Sequence, residues 1–508
     1  MFKNKNTYFI ALYAIIFTIA FTSCKKNDNV TPPEMLVAGP DVNLYALTSD
    51  NKLILFNAKA PNTVTSQVTI SGLQPSELIV GIDFRPATGQ LYGLGNGSRI
   101  YVIDPKTGTA RAINSTPFTP AITGMAFGFD FNPTVDRIRL VSSNGQNLRL
   151  NPETGLVAAT DLTINGSVDA KIGSVAYTQN RAGASTTVLF DIDATTNKLY
   201  KQDPPNDGKL VEIGSLGYDI DETGGFDISP DGSAALAALT TSGKSSLYTI
   251  DITNGKAAKI GDFGPQIIGL AIPTEPVAYA ISLNNELLIF NPASSTPTFV
   301  AKSITGVQTG ESIVALDMRP LNGQLFALSN TSRIYSINAS SGVAALVGTG
   351  PLTTLLVGAQ FGFDFNPTVD RIRIVSNTGQ NFRVNPADAA LTIDLSIVTT
   401  NAAIGGAAYT NNFAGATTTI LYDIDPITDR LYKQDPPNNG TLVDVGSLGI
   451  NIESSNGFDI GGTSGIAYGI FTVGTTQRLY TVNLTTGAAT AGATLTTSVR
   501  AFALGLGF

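Results

Sequence analysis

Six aspartates recur at one register of a repeated strand pattern: Asp83, Asp130 and Asp227 in the first half of the chain, Asp317, Asp364 and Asp459 in the second. Each follows an apolar or glycine-bearing stretch such as VGIDF, FGFDF or GGFDI, with Glu77 and Glu311 just upstream of the first of each set. Two carboxyls ~5–9.5 Å apart, one kept protonated by its surroundings, can cleave a glycosidic bond without any other catalytic group. Carboxylate chemistry is what the composition leaves. The 508 residues contain no histidine, no tryptophan and one cysteine. Ser-His-Asp and Cys-His nucleophiles, imidazole metal ligands, thiolate zinc sites, iron–sulfur clusters and intrachain disulfides are therefore excluded. The bland alternative is that the aspartates bind backbone amides or arginines and hold strands together, since structural networks imitate active sites. That reading is preferred, and no catalytic residue is assigned.

The basic residues favour it. In Asp136-Arg137-Ile138-Arg139-Leu140, strand alternation puts Arg137 and Arg139 on one face and the aliphatic residues on the other. Arg149, two residues after Asn147, alternates likewise, and Arg371, Arg373, Asn381 and Arg383 are the counterparts in the second half. Guanidiniums buried between sheets need acid partners, with Asp130 or Asp227 as candidates. At an open mouth the same residues would bind a carboxylate or sulfate. Asp191-Ile192-Asp193 and Asp423-Ile424-Asp425 admit a calcium reading, but they lack the glycine and terminal glutamate of an EF-hand loop. An Asx turn into Thr195-Thr196-Asn197 explains the same letters. No metal site or cofactor is assigned beyond that calcium alternative. Pro204-Pro205 and Pro436-Pro437 stiffen a loop.

These residues are positioned by a repeat. FGFDFNPTVDRIR, Phe127 to Arg139, returns unchanged from Phe361 to Arg373, and LYKQDPPN, Leu199 to Asn206, returns from Leu431 to Asn438. The chain is a unit of roughly 230 residues written twice. Within each unit a weaker period of ~45 residues combines an opening strand, a turn and alternating strands, with 51 Gly and 26 Pro in the chain as punctuation. The spacing predicts an all-β fold of two tandem five-bladed β-propellers, residues 43–273 and 277–508, the alternative being one ten-bladed ring. The first blade of each unit lacks an opening strand, and the last strand, Ile268 to Ile272 or Ala503 to Phe508, is expected to supply it.

GFDFNPTVDRIRLVS with NGQNLRLNP, LYKQDPPN and GFDI resembles the bacterial family named domain of unknown function 4394, and both units carry the motifs. The resemblance implies an extracytoplasmic, propeller-like protein and brings no activity, substrate or catalytic residue.

Residues 1–23 combine Lys3 and Lys5 with an apolar run from Tyr8 to Phe21 and end against the lone Cys24. This is the pattern of a lipoprotein signal peptide, with Cys24 the lipidated residue and residues 24–42 a tether. Removing residues 1–23 takes two lysines and no acid from 31 basic and 39 acidic residues, so the net charge moves from −8 to −10. An acidic chain without basic runs is not expected to bind nucleic acid. The sequence therefore predicts an exported, membrane-anchored lipoprotein, at the outer membrane or cell surface, acting as a binding module for an envelope protein or glycan. A carbohydrate-active hydrolase and a structural spacer are the alternatives.

Overall fold

Alternating strands separated by Asx and glycine turns build the described residues almost without helix. The computed structural model describes residues 35–397 and 403–508. Cys24, the leader and most of the tether lie outside the described residues. The strands form ten four-stranded antiparallel sheets, and the two helical pieces are single 3-10 turns at Pro205–Asp207 and Pro437–Asn439. Among the described residues no helix is long and apolar enough to cross a membrane.

The turns follow from local chemistry. Asn132 Oδ1 accepts hydrogen bonds from the N–H (3.0 Å) and the hydroxyl (2.7 Å) of Thr134, and Asp136 takes the left-handed conformation that ends the turn (φ 50°). The strand Arg137–Ser142 then pairs back on Phe127–Asn132, with Asp130 opposite Arg139 and Asn132 opposite Arg137. Alternate residues of these two strands face different neighbouring sheets, so both faces are buried. Phe131 and Ile138 turn towards the preceding sheet and pack with Tyr92, Leu94 and Ile100. Tyr92 and Phe131 meet edge to face at 5.2 Å, and Phe326 and Phe365 repeat the contact at 5.1 Å.

Eight sheets are simple meanders of consecutive strands; two are not. Ile267–Ala271, the last strand of the first copy, pairs with Asn43–Thr48, the first, with Ala46 opposite Leu270. Val499–Leu504 pairs in the same way with Ala278–Ser282. Late sequence thus supplies the missing opening strand, as the pattern required. In the second copy that strand begins at Val499 rather than Ala503, because Leu504 must face Ala278 for the ladder to form. The tail beyond it turns away, and the Gly507 N–H donates to Thr88 O in the first copy.

The opening strands of the first copy, Ile79–Arg85, Phe127–Asn132, Ile172–Tyr177, Glu222–Ile228 and Ile267–Ala271, each lie against the next, and the last lies against the first. Ile313–Arg319, Phe361–Asn366, Gly406–Tyr409, Ser454–Ile460 and Val499–Leu504 do the same. Residues 36–508 form one compact body. Its two copies are joined by Arg85 Nη1 donating to Asn322 O (3.2 Å), Arg111 Nη2 to Leu321 O (2.6 Å) and the Tyr279 hydroxyl to Ala87 O (2.7 Å).

Candidate functional site

The opening strands bring each set of three aspartates together. The carboxylate oxygens of Asp83, Asp130 and Asp227 lie within 4.8 Å of one another, as do those of Asp317, Asp364 and Asp459, and all six residues are buried. Backbone amides hold them. Asp83 accepts from its own neighbour Phe84 (2.7 Å) and, across to the next opening strand, from Phe131 (2.8 Å). Asp227 accepts from Ile228 (2.6 Å) and Ile272 (2.5 Å), and Asp130 from Tyr177 (3.1 Å). The second copy repeats this: Asp317 on Met318 and Phe365, both 2.7 Å; Asp364 on Tyr409, 3.0 Å; Asp459 on Ile460 and Leu504, both 2.6 Å. Each acid is a clip from one opening strand to the next. Such a clip leaves Asp364 Oδ2 buried without a hydrogen bond.

Burial is the main force on their protonation. It raises all six carboxyls, Asp227 and Asp459 to about 7 despite the amides that favour the charged form. Burial also holds Asp83, Asp130, Asp317 and Asp364 well above the ordinary carboxylate range, and each is repelled by its acidic neighbours as well. Three carboxyls so close in a solvent-free place share protons instead of all ionising. These are also the residues whose spacing could hold a hard divalent cation, which prefers oxygen ligands at 2.3–2.6 Å.

The arginines find other partners than the sequence suggested. Neither Asp130 nor Asp227 pairs with them; Asp161 does, and it went unnoticed. Arg139 Nη1 donates to Asp161 Oδ2 (2.7 Å) and Asn147 Oδ1 (2.6 Å), and Nη2 to Asn206 Oδ1 (2.8 Å). Arg149 grips Asp161 with two bonds of 2.8 Å. Arg373, Asn381, Arg383, Asn438 and Asp394 repeat the node. The repeated Asp161-Leu162-Thr163 and Asp394-Leu395-Ser396 was the available signal. Arg137 and Arg371 stay half-buried and donate to the carbonyls of Asp136 (2.8 Å) and Asp370 (2.9 Å). Two further arginines, Arg85 and Arg319, clamp Asp136 and Asp370 of the following sheet through paired bonds. Glu77 and Glu311 stand apart from the triads, bonded to Arg99 and Tyr101 and to Arg333 and Tyr335.

The LYKQDPPN loop joins this node. Asn147 Nδ2 (2.9 Å) and Gln202 Nε2 (2.5 Å) donate to Pro205 O, so the tandem prolines present a carbonyl to the neighbouring sheet. Asp193 caps an Asx turn, accepting from Thr195 N (2.8 Å) and the Thr196 hydroxyl (2.9 Å), as Asp425 does with Ile427 and Thr428. Asp191 and Asp423 are fully buried with both oxygens unpartnered, and burial raises both, Asp423 to about 8.

No triad carboxylate lines the axial space of its copy. The axial space of the first copy, about 10 Å³, is bounded by Gly81, Phe127, Gly128, Val175, Gly225 and Ile268, all towards the other end of the opening strands. The corresponding space of the second copy is larger, about 100 Å³.

A family model described as a domain of unknown function (DUF4394) matches residues 52–271 and again residues 286–504. No curated protein matches the chain. The chain therefore belongs to the DUF4394 family and carries two tandem copies of its domain.

Proposed function

We propose that each copy closes into a five-bladed β-propeller, residues 43–273 and 277–508, and that the chain is an exported binding module. The pairing of each last strand with the first strand of its own copy supports two rings. One ring of ten would instead need Ile267–Ala271 beside Ala278–Ser282. The leader pattern supports lipid attachment at Cys24 and a place at the outer membrane or cell surface, with an envelope protein or glycan as partner.

The observation that carries binding over hydrolysis is the sealing of the triads. A glycosidase needs its acids on an open cleft and ~5–9.5 Å apart, with sugar or water between them. Here they lie within 4.8 Å of one another, buried, with each acid holding at least one strand amide. A thermal-shift screen of the chain against envelope and plant glycans, with calcium and with chelator, tests the reading. A ligand at 100 times its dissociation constant adds about 2.7 kcal/mol and moves the midpoint by degrees. A shift without turnover supports the module; turnover lost in Asp83→Asn would establish the hydrolase. The anchor is tested by labelling cells with radioactive palmitate: the label enters the wild-type chain and not Cys24→Ser.

A further inference from the structure

The two copies share their motifs but differ in the chemistry of the axial mouth at the start of the opening strands. In the first copy the lining is almost wholly apolar, Ser174 being its one polar side chain, and its space of about 10 Å³ has room for one water. In the second copy several of these positions have changed together. Gln360 stands where the first copy has Ala126, Ser455 where it has Thr223, Asn456 where it has Gly224, and Arg500 where it has Ile268. Gly406 replaces Ser174, whose hydroxyl accepts the Gly225 N–H (3.2 Å). A Cβ on Gly406 would stand 2.7 Å from Ser455 Oγ, so the missing side chain makes the room that the serine uses. The result is a cavity of about 100 Å³ bordered by Gln360, Ser455, Asn456 and Arg500 and reaching the surface beside exposed Ala359.

Its polar groups are only partly satisfied by the chain: Asn456 Nδ2 donates to Ser454 Oγ (3.2 Å) and Thr472 Oγ1 (2.8 Å), but other atoms are left over. Gln360 Oε1 and Ser455 Oγ are buried without a hydrogen-bond partner, and Ser455 is 6% exposed. Arg500 donates through Nε (3.2 Å) and Nη2 (3.0 Å) to Ser282 O, and through Nη2 also to Leu283 O. Its Nη1 has no hydrogen bond, and no carboxylate pairs with it, among the described residues. Elsewhere in the fold the buried arginines, Arg85, Arg139 and Arg373, all meet acids. A half-buried guanidinium fixed by two carbonyls, with one free edge at a cavity, is a preorganised anion donor. Buried acceptors beside it call for a ligand that also carries hydroxyl donors.

We propose that the axial mouth of the second copy binds a small hydroxy carboxylate: the acid on Arg500, the hydroxyls on Gln360, Ser455 and Asn456. This rests on the reading of the chain as a binding module and gives that module a ligand class. The same chemistry is offered by a free hydroxy acid and by the acidic end group of a glycan entering from outside. The first copy repeats only the unpartnered hydroxyl, as Thr223, and without the guanidinium, the glutamine and the asparagine it has no such site.

Titration calorimetry of the full chain with D-glycerate, D-glucuronate, glycerol and sulfate tests this. Expected is one equivalent of glycerate or glucuronate per chain, with glycerol and sulfate at least tenfold weaker; glycerate alone would mark a free acid, glucuronate a glycan end. Arg500→Ile installs the residue the first copy packs at that position, so the fold tolerates it, and it should weaken binding tenfold or more. Gln360→Ala, likewise borrowed from the first copy, should weaken it with the melting temperature unchanged. Failure of both acids to bind, two equivalents per chain, sulfate binding as well as glycerate, or affinity unmoved by Arg500→Ile would each overturn the assignment. If the acids fail while a larger glycan or protein shifts the melting temperature, the module stands and the pocket falls.

Discussion

Asp364→Asn should make the protein more stable at neutral pH. The carboxyl is fully buried, repelled by Asp317 and Asp459, and held well above its ordinary 3.8. In the folded chain it keeps its proton, whereas in the unfolded chain it releases it above pH 3.8. The folded state then binds more protons than the unfolded one, so its contribution is intact below pH 3.8 and is lost as pH rises towards the folded value. The loss runs at about 1.36 kcal/mol for each pH unit between the unfolded and the folded value. Asparagine is neutral in both states and escapes it. It also fits: only Oδ1 is used, accepting Tyr409 N–H at 3.0 Å, and Oδ2 is free to become an amide that donates to the neighbouring acids. Asp317→Asn differs, since both oxygens accept backbone amides and one N–H would be left facing an NH2, at a cost of about 1–3 kcal/mol. Urea unfolding followed by circular dichroism, the chain having no tryptophan, would be run at pH 4.5, 6 and 7.5. The Asp364→Asn curve should fall less steeply with pH and cross above wild type. Parallel curves would refute the argument.

Asp161→Ala strips two guanidiniums of their shared carboxylate, leaving Arg139 buried and unpaired, and should cost ~3–5 kcal/mol by urea unfolding, whereas Lys198→Ala, which breaks an exposed pair, should cost under about 1. Asp423→Asn should match wild type near pH 4 and exceed it increasingly up to pH 8, with no further gain above, because a carboxyl whose value is 3.8 unfolded and about 8 folded sheds stability between those two values; melting temperatures across pH 4–9 read this directly.

Strand pattern and duplication were legible because both are local: alternation, turn residues and verbatim repeats need no knowledge of the third dimension. The borrowed opening strand was legible by subtraction, since a sheet starting at Leu44 lacked one. Its start in the second copy was not, because register against Ala278, and not composition, places Val499 at the beginning. The convergence of three aspartates followed from their common register. Their acceptance of amides instead of arginines did not, since both partners suit a carboxylate and only the strand spacing decides. Asp161 escaped because it follows a short, irregular strand, Val157–Thr160, and its repeated signature is only the dipeptide Asp-Leu. The divergent mouth was hidden by the alignment of the copies itself: Gln360 and Arg500 sit beside motifs and read as ordinary strand ends until the cavity joins them.

The central claim is that the six motif aspartates are sealed clips and not catalysts. Carbodiimide labelling of native protein at pH 5 with a nucleophilic amine, read residue by residue by mass spectrometry, tests it most directly. The account predicts modification of exposed acids such as Asp41 and Asp203, with Asp83, Asp130, Asp227, Asp317, Asp364 and Asp459 unmodified until urea unfolds the chain. Labelling of the six in the native protein would contradict it, placing them on a solvent-open channel and restoring the hydrolase.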